Sequence, residues 1–327
     1  YESSPETRRL LDIAMALEGM PRHASAHAAG IVITEQPTSY YVPLSTNGDT
    51  VVTQYDMDTD AALGLVKFDF LGLRYLTILA DAERAVRETD SSFSLAKIPI
   101  DDAAAYRLMS EGRTNGIFQL ESAGMRQLLS QMKPRTLEDV IAAIALYRPG
   151  PMDSIPRYIA ARNGGSTVTY DVPALKKILS VTNGCIVYQE QVMQICRELA
   201  GYSFAHADVV RRAMAKKKAD VMAAERAAFE AGAAARGVPA ETAKKVFDDM
   251  VGFASYAFNK SHAAAYALIA YRTAYMKAHY MPAYMAALMT SVLSDTVKLG
   301  EYIGECQQAG IAVLAPDINE SGVYFSA

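Results

Sequence analysis

Tryptophan is absent from the 327 residues, and only three are cysteine. Cys185, Cys196 and Cys306 are far apart and odd in number. That argues against a disulfide framework and against a cysteine zinc site, and it suits a reducing cytosol. A membrane-length apolar run is also lacking. The most apolar stretch, Ala263 to Ala270, is too short and too rich in alanine to span a bilayer. Nothing at the start reads as a signal peptide. Positive charge is not in excess: 32 Lys and Arg face 36 Asp and Glu, a formal net charge of -4. There is then no global attraction to nucleic acid or to anionic membranes, and any phosphate-binding surface must be local. No G-x-x-x-x-G-K-[ST] sequence occurs, so there is no P-loop. No nucleophile elbow or Cys/His arrangement stands out. Internal repeats and low-complexity tracts are missing too.

What is present is a half-apolar chain, 51% by composition, long enough for two domains or one large one. It begins at Tyr1 with no Met, as a fragment of something longer would. The first seventy residues read as mixed α and β. Thr7 to Met20 carries Leu10, Leu11, Ile13, Ala14 and Leu17 at helical spacing and ends at Gly19 and Pro21. Strands are predicted at Ile31 to Ile33, Val51 to Tyr55 and Leu65 to Phe70, with an extended piece at Tyr40 to Leu44 and an acidic connection at Asp56 to Ala61. After Leu73 the pattern becomes helical. Helices are expected at Leu76–Glu88, Asp101–Ser110 (capped by Asp101), Leu120–Met132, Leu137–Leu146 (capped by Thr136), Ile155–Arg162 and Val172–Leu179. Further ones follow at Glu190–Leu199, His206–Lys217, Ala219–Arg236, Ala240–Val251, Ala263–Tyr280, Ala283–Leu293 and Thr296–Ala309. Arg148-Pro149-Gly150-Pro151 reads as a hard turn and Cys185 to Val187 as a short strand or extended piece. The domains expected are 1–75, 76–315 and the start of a further segment at 316–327.

Three groups of residues could carry chemistry. Asn259-Lys260-Ser261-His262 opens the helix that ends near Tyr280. Asn259 or Ser261 can cap it, and a basic helix N-terminus suits a phosphate or other anion; the plainer alternative is a capped core helix. Arg211 and Arg212 with Lys216, Lys217 and Lys218 put five positive charges in eight residues. Guanidinium groups grip phosphate oxygens in bidentate fashion and lysines add point charge, whereas a solvated basic face would look the same in sequence. Asp69 lies in an apolar strand, and period-2 alternation puts Lys67 on its face, opposite Val66, Phe68 and Phe70. A carboxylate there is a candidate metal ligand for phosphoryl transfer, although a strand-surface ion pair explains it as well. Asp56, Asp58 and Asp60 fit an acidic turn. His23 and His27 are four apart but precede a strand, with no acidic third ligand near in sequence; a metal-dependent phosphoesterase built on them is a weaker reading.

Several of these stretches resemble the C-family of bacterial replicative DNA polymerases, the DNA polymerase III alpha subunits. They are Leu65 to Leu73, Thr114 to Ser122, Leu146 to Pro151, Tyr188 to Ile195, Arg211 to Lys218, Phe258 to Ala263 and, near the end, Pro316 to Asn319. The resemblance covers essentially the whole chain. It implies an α+β, mostly α architecture: the C-terminal part of a palm of the polymerase-β nucleotidyltransferase type, then helical fingers. It implies DNA-directed addition of deoxynucleotides to a primer 3′-hydroxyl, with two Mg²⁺ ions and pyrophosphate leaving. Asp69 would be one catalytic, metal-binding carboxylate, with Lys67 beside it. Arg211, Arg212, Lys216, Lys218, Asn259, Lys260, Ser261 and His262 would face the incoming deoxynucleoside triphosphate. Primed template DNA, and in the parent a sliding clamp and other replisome subunits, would be partners in a bacterial cytoplasm, with no membrane. The family's other two metal-binding aspartates lie on a P-D-x-D-x-D-type strand upstream of the part matched by Tyr1. The fragment is therefore expected to be inactive alone; the alternative reading of it is a non-catalytic nucleotide- and DNA-binding module. Arg162-Asn163-Gly164-Gly165 stands where relatives often carry Arg-Lys-His-Gly, a change expected in a DNA-facing loop.

Overall fold

Among the described residues of the first seventy, four short strands and two α-helices form, because apolar runs there are brief and broken by turn residues. The computed structural model describes residues 4–20, 25–148, 151–165, 167–215, 219–254 and 256–327. The chain divides into two compact units, Tyr1–Leu73 and Arg74–Ala327.

In the first unit, α1 (Pro5–Leu17) is capped by Ser4, whose hydroxyl accepts from the Thr7 N–H. Its apolar residues, Leu10 and Leu17 among them, are exposed. Strand β1 (Gly30–Ile33) pairs antiparallel with β4 (Val66–Asp69), with Gly30 opposite Asp69 and Val32 opposite Lys67. Strands β2 (Leu44–Asn47) and β3 (Thr50–Thr53) form a separate hairpin closed by Gly48-Asp49, with Gly48 at φ +60°. The predicted strand at 51–55 therefore stops at Thr53. The acidic connection is a short helix, α2 (Met57–Ala62). Asp56 caps it, accepting from Thr59 N–H at 2.8 Å, and Asp60 turns inward to accept from the Thr53 hydroxyl at 2.8 Å.

The second unit is helical. Its elements are α3 (Arg74–Thr89), α4 (Ala103–Ser110), α5 (Ala123–Met132), α6 (Leu137–Leu146), α7 (Ile155–Arg162), α8 (Pro173–Leu179) and α9 (Gln189–Ala200). Next come α10 (Phe204–Ala215), α11 (Ala219–Ala235), α12 (Ala240–Ala254), α13 (Lys260–His279), α14 (Met281–Thr290) and α15 (Thr296–Gln308). Several helices begin at a capping side chain. Asp102, not Asp101, caps α4, and Ser122 delays α5 to Ala123. Thr136 and Asp139 close a capping box on α6. Cys185 to Val187 form no strand; the one bridge nearby joins Tyr188 to Phe258. The mostly α, α+β class holds, and no described helix is long and apolar enough to cross a membrane.

Helix α13 is the centre of this unit. Ala263, Ala267, Ala270 and Ala274 line one side of it and pack against α6, buried from Asp139 to Leu146, with α4 alongside. Small side chains let two helix backbones approach closely. A second core joins α8 to α12, and a third joins α3, α14 and α15. Two ion pairs stitch the unit. Arg162 makes a two-pronged contact with Asp139 (2.5 and 2.8 Å) and donates to the carbonyls of Met132 and Lys133. The Arg162-to-Gly165 corner is thus anchored to the ends of α5 and α6. Lys277, only 2% exposed, donates to the carbonyls of Arg113 and Asn115 and to Glu305.

Candidate functional site

Asp69 ends β4 with its side chain half exposed. The Lys67 ammonium lies 3.0 Å from Asp69 Oδ1, as their shared strand face requires. Gly30 makes room for this contact. A Cβ at Gly30 would come within 3.1 Å of both Lys67 Cδ and His27 Nδ1. His27 Nδ1 is 3.9 Å from the same Asp69 oxygen, but it accepts from Ala29 N–H at 3.1 Å, so it meets Asp69 as a lone pair and not as a donor. Phe68 and Phe70 stack 6.4 Å apart on the other face. His23 lies outside the described residues. Among the described residues, no group of three or more His, Cys, Asp or Glu could hold a metal ion. Asp69 offers one hard oxygen ligand, which fits part of a two-ion site and does not complete one. Asp56 and Asp60 are engaged elsewhere, as the cap of α2 and as the buried partner of Thr53.

The remaining candidates belong to the second unit, and three of them, Arg211, Asn259 and Lys260, meet at the start of α9. Gln189 N–H donates to the Phe258 carbonyl at 2.9 Å, and its side chain donates to the Ala257 carbonyl at 3.0 Å. The same Gln189 side chain accepts from Arg211 at 3.1 Å. Next to it, Glu190 accepts from Asn259 Nδ2 at 3.0 Å and from Lys260 N–H at 3.0 and 3.1 Å. Asn259 caps α13, accepting from His262 N–H at 2.7 Å. Ser261 stands exposed in the first turn. Lys216 and Lys218 lie outside the described residues.

The positive charge here is largely matched. Asp208 holds both Arg211 (2.8 Å) and Arg212 (3.2 Å), and Glu138 holds the Lys260 ammonium at 3.0 Å. Glu190 already occupies the N-terminal end of α13, where an anion is favoured. An anion could bind these cations only by exchanging with the carboxylates that already hold them.

A ladder of rings runs along the first turns of α13. Phe118 lies 5.1 Å from Tyr266, Tyr266 stacks on His262 at 4.1 Å, and His262 meets Phe258 edge-on at 5.4 Å. The Arg148 guanidinium covers the Phe258 ring at 3.7 Å. Partial burial, and then the charge of Arg148, hold the His262 imidazole below its usual value, so it is neutral at pH 7 and suited to contact a sugar or base. Phe118, Tyr147 and Arg148 line a cleft of about 730 Å³ with Tyr75, Glu121 and Lys298. In sequence Arg148 stood out as a turn residue within the Leu146-to-Pro151 stretch, with no contact assigned to it. The signal that could have found it is the spacing of Phe258, His262 and Tyr266, four residues apart on one helix face.

Known proteins match the chain in two adjoining parts. Residues 1–72 match the family model for the bacterial DNA polymerase III alpha NTPase domain, and residues 75–237 match that for the bacterial DNA polymerase III alpha subunit finger domain. The DNA polymerase III subunit alpha of Thermus aquaticus is 49% identical over 99% of this chain and 27% of its own length. That of Halalkalibacterium halodurans is 46% identical over 99% of this chain and 29% of its own. That of Bacillus subtilis is 44% identical over 98% and 29%. The chain spans just over a quarter of the length of these curated relatives.

Proposed function

Since the chain belongs to the bacterial DNA polymerase III alpha subunit family, we propose that it is the palm-end and fingers segment of a replicative DNA polymerase. In this reading the full-length protein adds deoxynucleotides to a primer 3′-hydroxyl on template DNA in the bacterial cytoplasm. The observation that carries it is the order of the two matched domains, with Asp69 in the first and the Arg211–Asn259–Lys260 junction in the second. Asp69 is one catalytic carboxylate, with Lys67 fixing its rotamer by their 3.0 Å contact. Divalent cations, Mg²⁺ by this proposal, would bind Asp69 and neutralise the charge that builds on the transferring phosphate. Arg211, Arg212 and Lys260 leave their carboxylate partners for the β and γ phosphates, and neutral His262 takes the sugar side. In sequence, Lys216 and Lys218 extend the same basic run.

The test is Asp69→Asn in the full-length protein. Primer extension should fall by about a thousandfold or more while the melting temperature stays within about 2 °C, since the side chain is half exposed. Normal extension would remove Asp69 from catalysis. The single carboxylate also favours a second reading of the chain taken alone: a nucleotide- and DNA-binding module without turnover. Incubation of the 327-residue chain with primed template, Mg²⁺ and deoxynucleotides decides it, and robust synthesis would defeat it.

A further inference from the structure

Among the described residues, Arg148 has no carboxylate partner. Its neighbours on this face do: Asp208 holds Arg211 and Arg212, and Glu138 holds Lys260. Its guanidinium instead lies over the Phe258 ring, 3.7 Å from the ring centre. Stacking on a ring leaves the in-plane N–H groups of a guanidinium free and fixes the direction in which they point. Burial draws the acidity of Arg148 away from that of a free guanidinium, yet the group remains charged. It lines the 730 Å³ cleft, and the ring ladder that starts beneath it at Phe258 returns to the same cleft at Phe118. A planar cation with no partner, aimed by an aromatic seat beside stacked rings, matches one ligand chemistry: a phosphate whose attached sugar and base lie against the rings.

We propose that Arg148, seated on Phe258, is a phosphate-contacting residue of this face. The phosphate belongs to a nucleotide, whether free as the triphosphate or within a DNA strand. This rests on the polymerase reading above and adds a cation outside the Arg211–Lys260 junction. Arg148 starts free, so it binds without the exchange that Arg211, Arg212 and Lys260 must undergo. It thus makes the first charge contact, before the other cations are released from Asp208 and Glu138.

The test uses the full-length protein with Arg148→Ala, Arg148→Lys and, as a control, Arg211→Ala. Nucleotide KM is measured in primer extension, and affinity for primed template is measured across a salt series. Loss of the contact should weaken one of the two by about tenfold or more. If the phosphate is on the free triphosphate, nucleotide KM rises and DNA affinity holds. If it is in the DNA strand, affinity falls and the salt slope drops by about 0.7 to 0.9. Arg148→Lys keeps the charge but not the planar seat, and it should recover only part of the loss. Should Arg148→Ala lower the melting temperature, the lysine variant at native melting temperature decides. Both quantities within about twofold of the parent, while Arg211→Ala raises the nucleotide KM, would overturn the role of Arg148 and leave the polymerase reading standing. No change in either variant would overturn both.

Discussion

Replacing Lys277 by methionine tests the interior of the second unit. The ammonium donates to the carbonyls of Arg113 (3.1 Å) and Asn115 (2.6 Å) and to Glu305 Oε1. Methionine fills a similar volume and donates to none of them. Two carbonyls lose a partner at about 1–3 kcal/mol each, although Glu305, whose side chain is 19% exposed, can regain some water. A net loss of about 3–5 kcal/mol follows, as for other broken buried pairs. At about 2–4 °C per kcal/mol for a unit of this size, the melting temperature should drop by about 10 °C. Lys277→Met with Glu305→Leu should lose less than Lys277→Met alone, because no stranded carboxylate remains. Burial also lowers the Lys277 amine below its usual 10.5, and Glu305 offsets this only in part. Between the lowered folded value and 10.5 the unfolded chain holds the proton that the folded chain has released. Stability therefore rises with pH across that window and levels off above it. Urea unfolding of the 327-residue chain at several alkaline pH values reads both effects. A Lys277→Met midpoint equal to the parent's, with the alkaline rise intact, would refute the reasoning.

Arg211→Ala should raise the nucleotide KM of the full-length protein by about tenfold or more, through loss of a charge-assisted phosphate contact. It should also lower the melting temperature slightly, because the side chain is largely buried between Asp208 and Gln189; Arg212→Ala, at 60% exposure, should raise KM alone. Unchanged nucleotide dependence in both would return those arginines to a solvated face. Gly124→Ala would place a Cβ 2.0 Å from the Tyr147 hydroxyl, so the ring must swing out of the cleft wall. A destabilisation of about 1–3 kcal/mol is expected by thermal melting, and a variant as stable as the parent would show that Tyr147 moves at no cost.

Much of the architecture was legible because it depends on local pattern. Period-2 alternation put Lys67 with Asp69, and they are 3.0 Å apart. Gly201 and Gly237 end α9 and α11 at φ +77°, a conformation glycine takes without strain. The Asp56–Ala61 stretch was misread because three aspartates look like turn residues, yet one caps a helix and another is buried within it. Cys185 to Val187 are apolar and branched, but they lack a neighbouring strand to pair with beyond one bridge. Of the charge balance of the candidate site, only the Asp208 pairs with Arg211 and Arg212 are local in sequence. Lys260 meets Glu138 across 122 positions of sequence, and Asn259 meets Glu190 across 69. Such pairings are set by how α6, α9 and α13 pack, and a basic run in sequence shows its cations without their counterions.

The alanine seam of α13 carries a further consequence, for mutation. His262 and Tyr266 project from the same two turns whose other side is Ala263 and Ala267, both fully buried against α6. One added methyl at either alanine has no void to enter, and the helix must shift outward to admit it. That shift would carry the His262–Tyr266 stack away from Phe118 and Phe258. Changes well beneath the surface can therefore alter ligand preference without touching a ligand, and a screen for altered selectivity should sample these alanines as readily as the exposed rings.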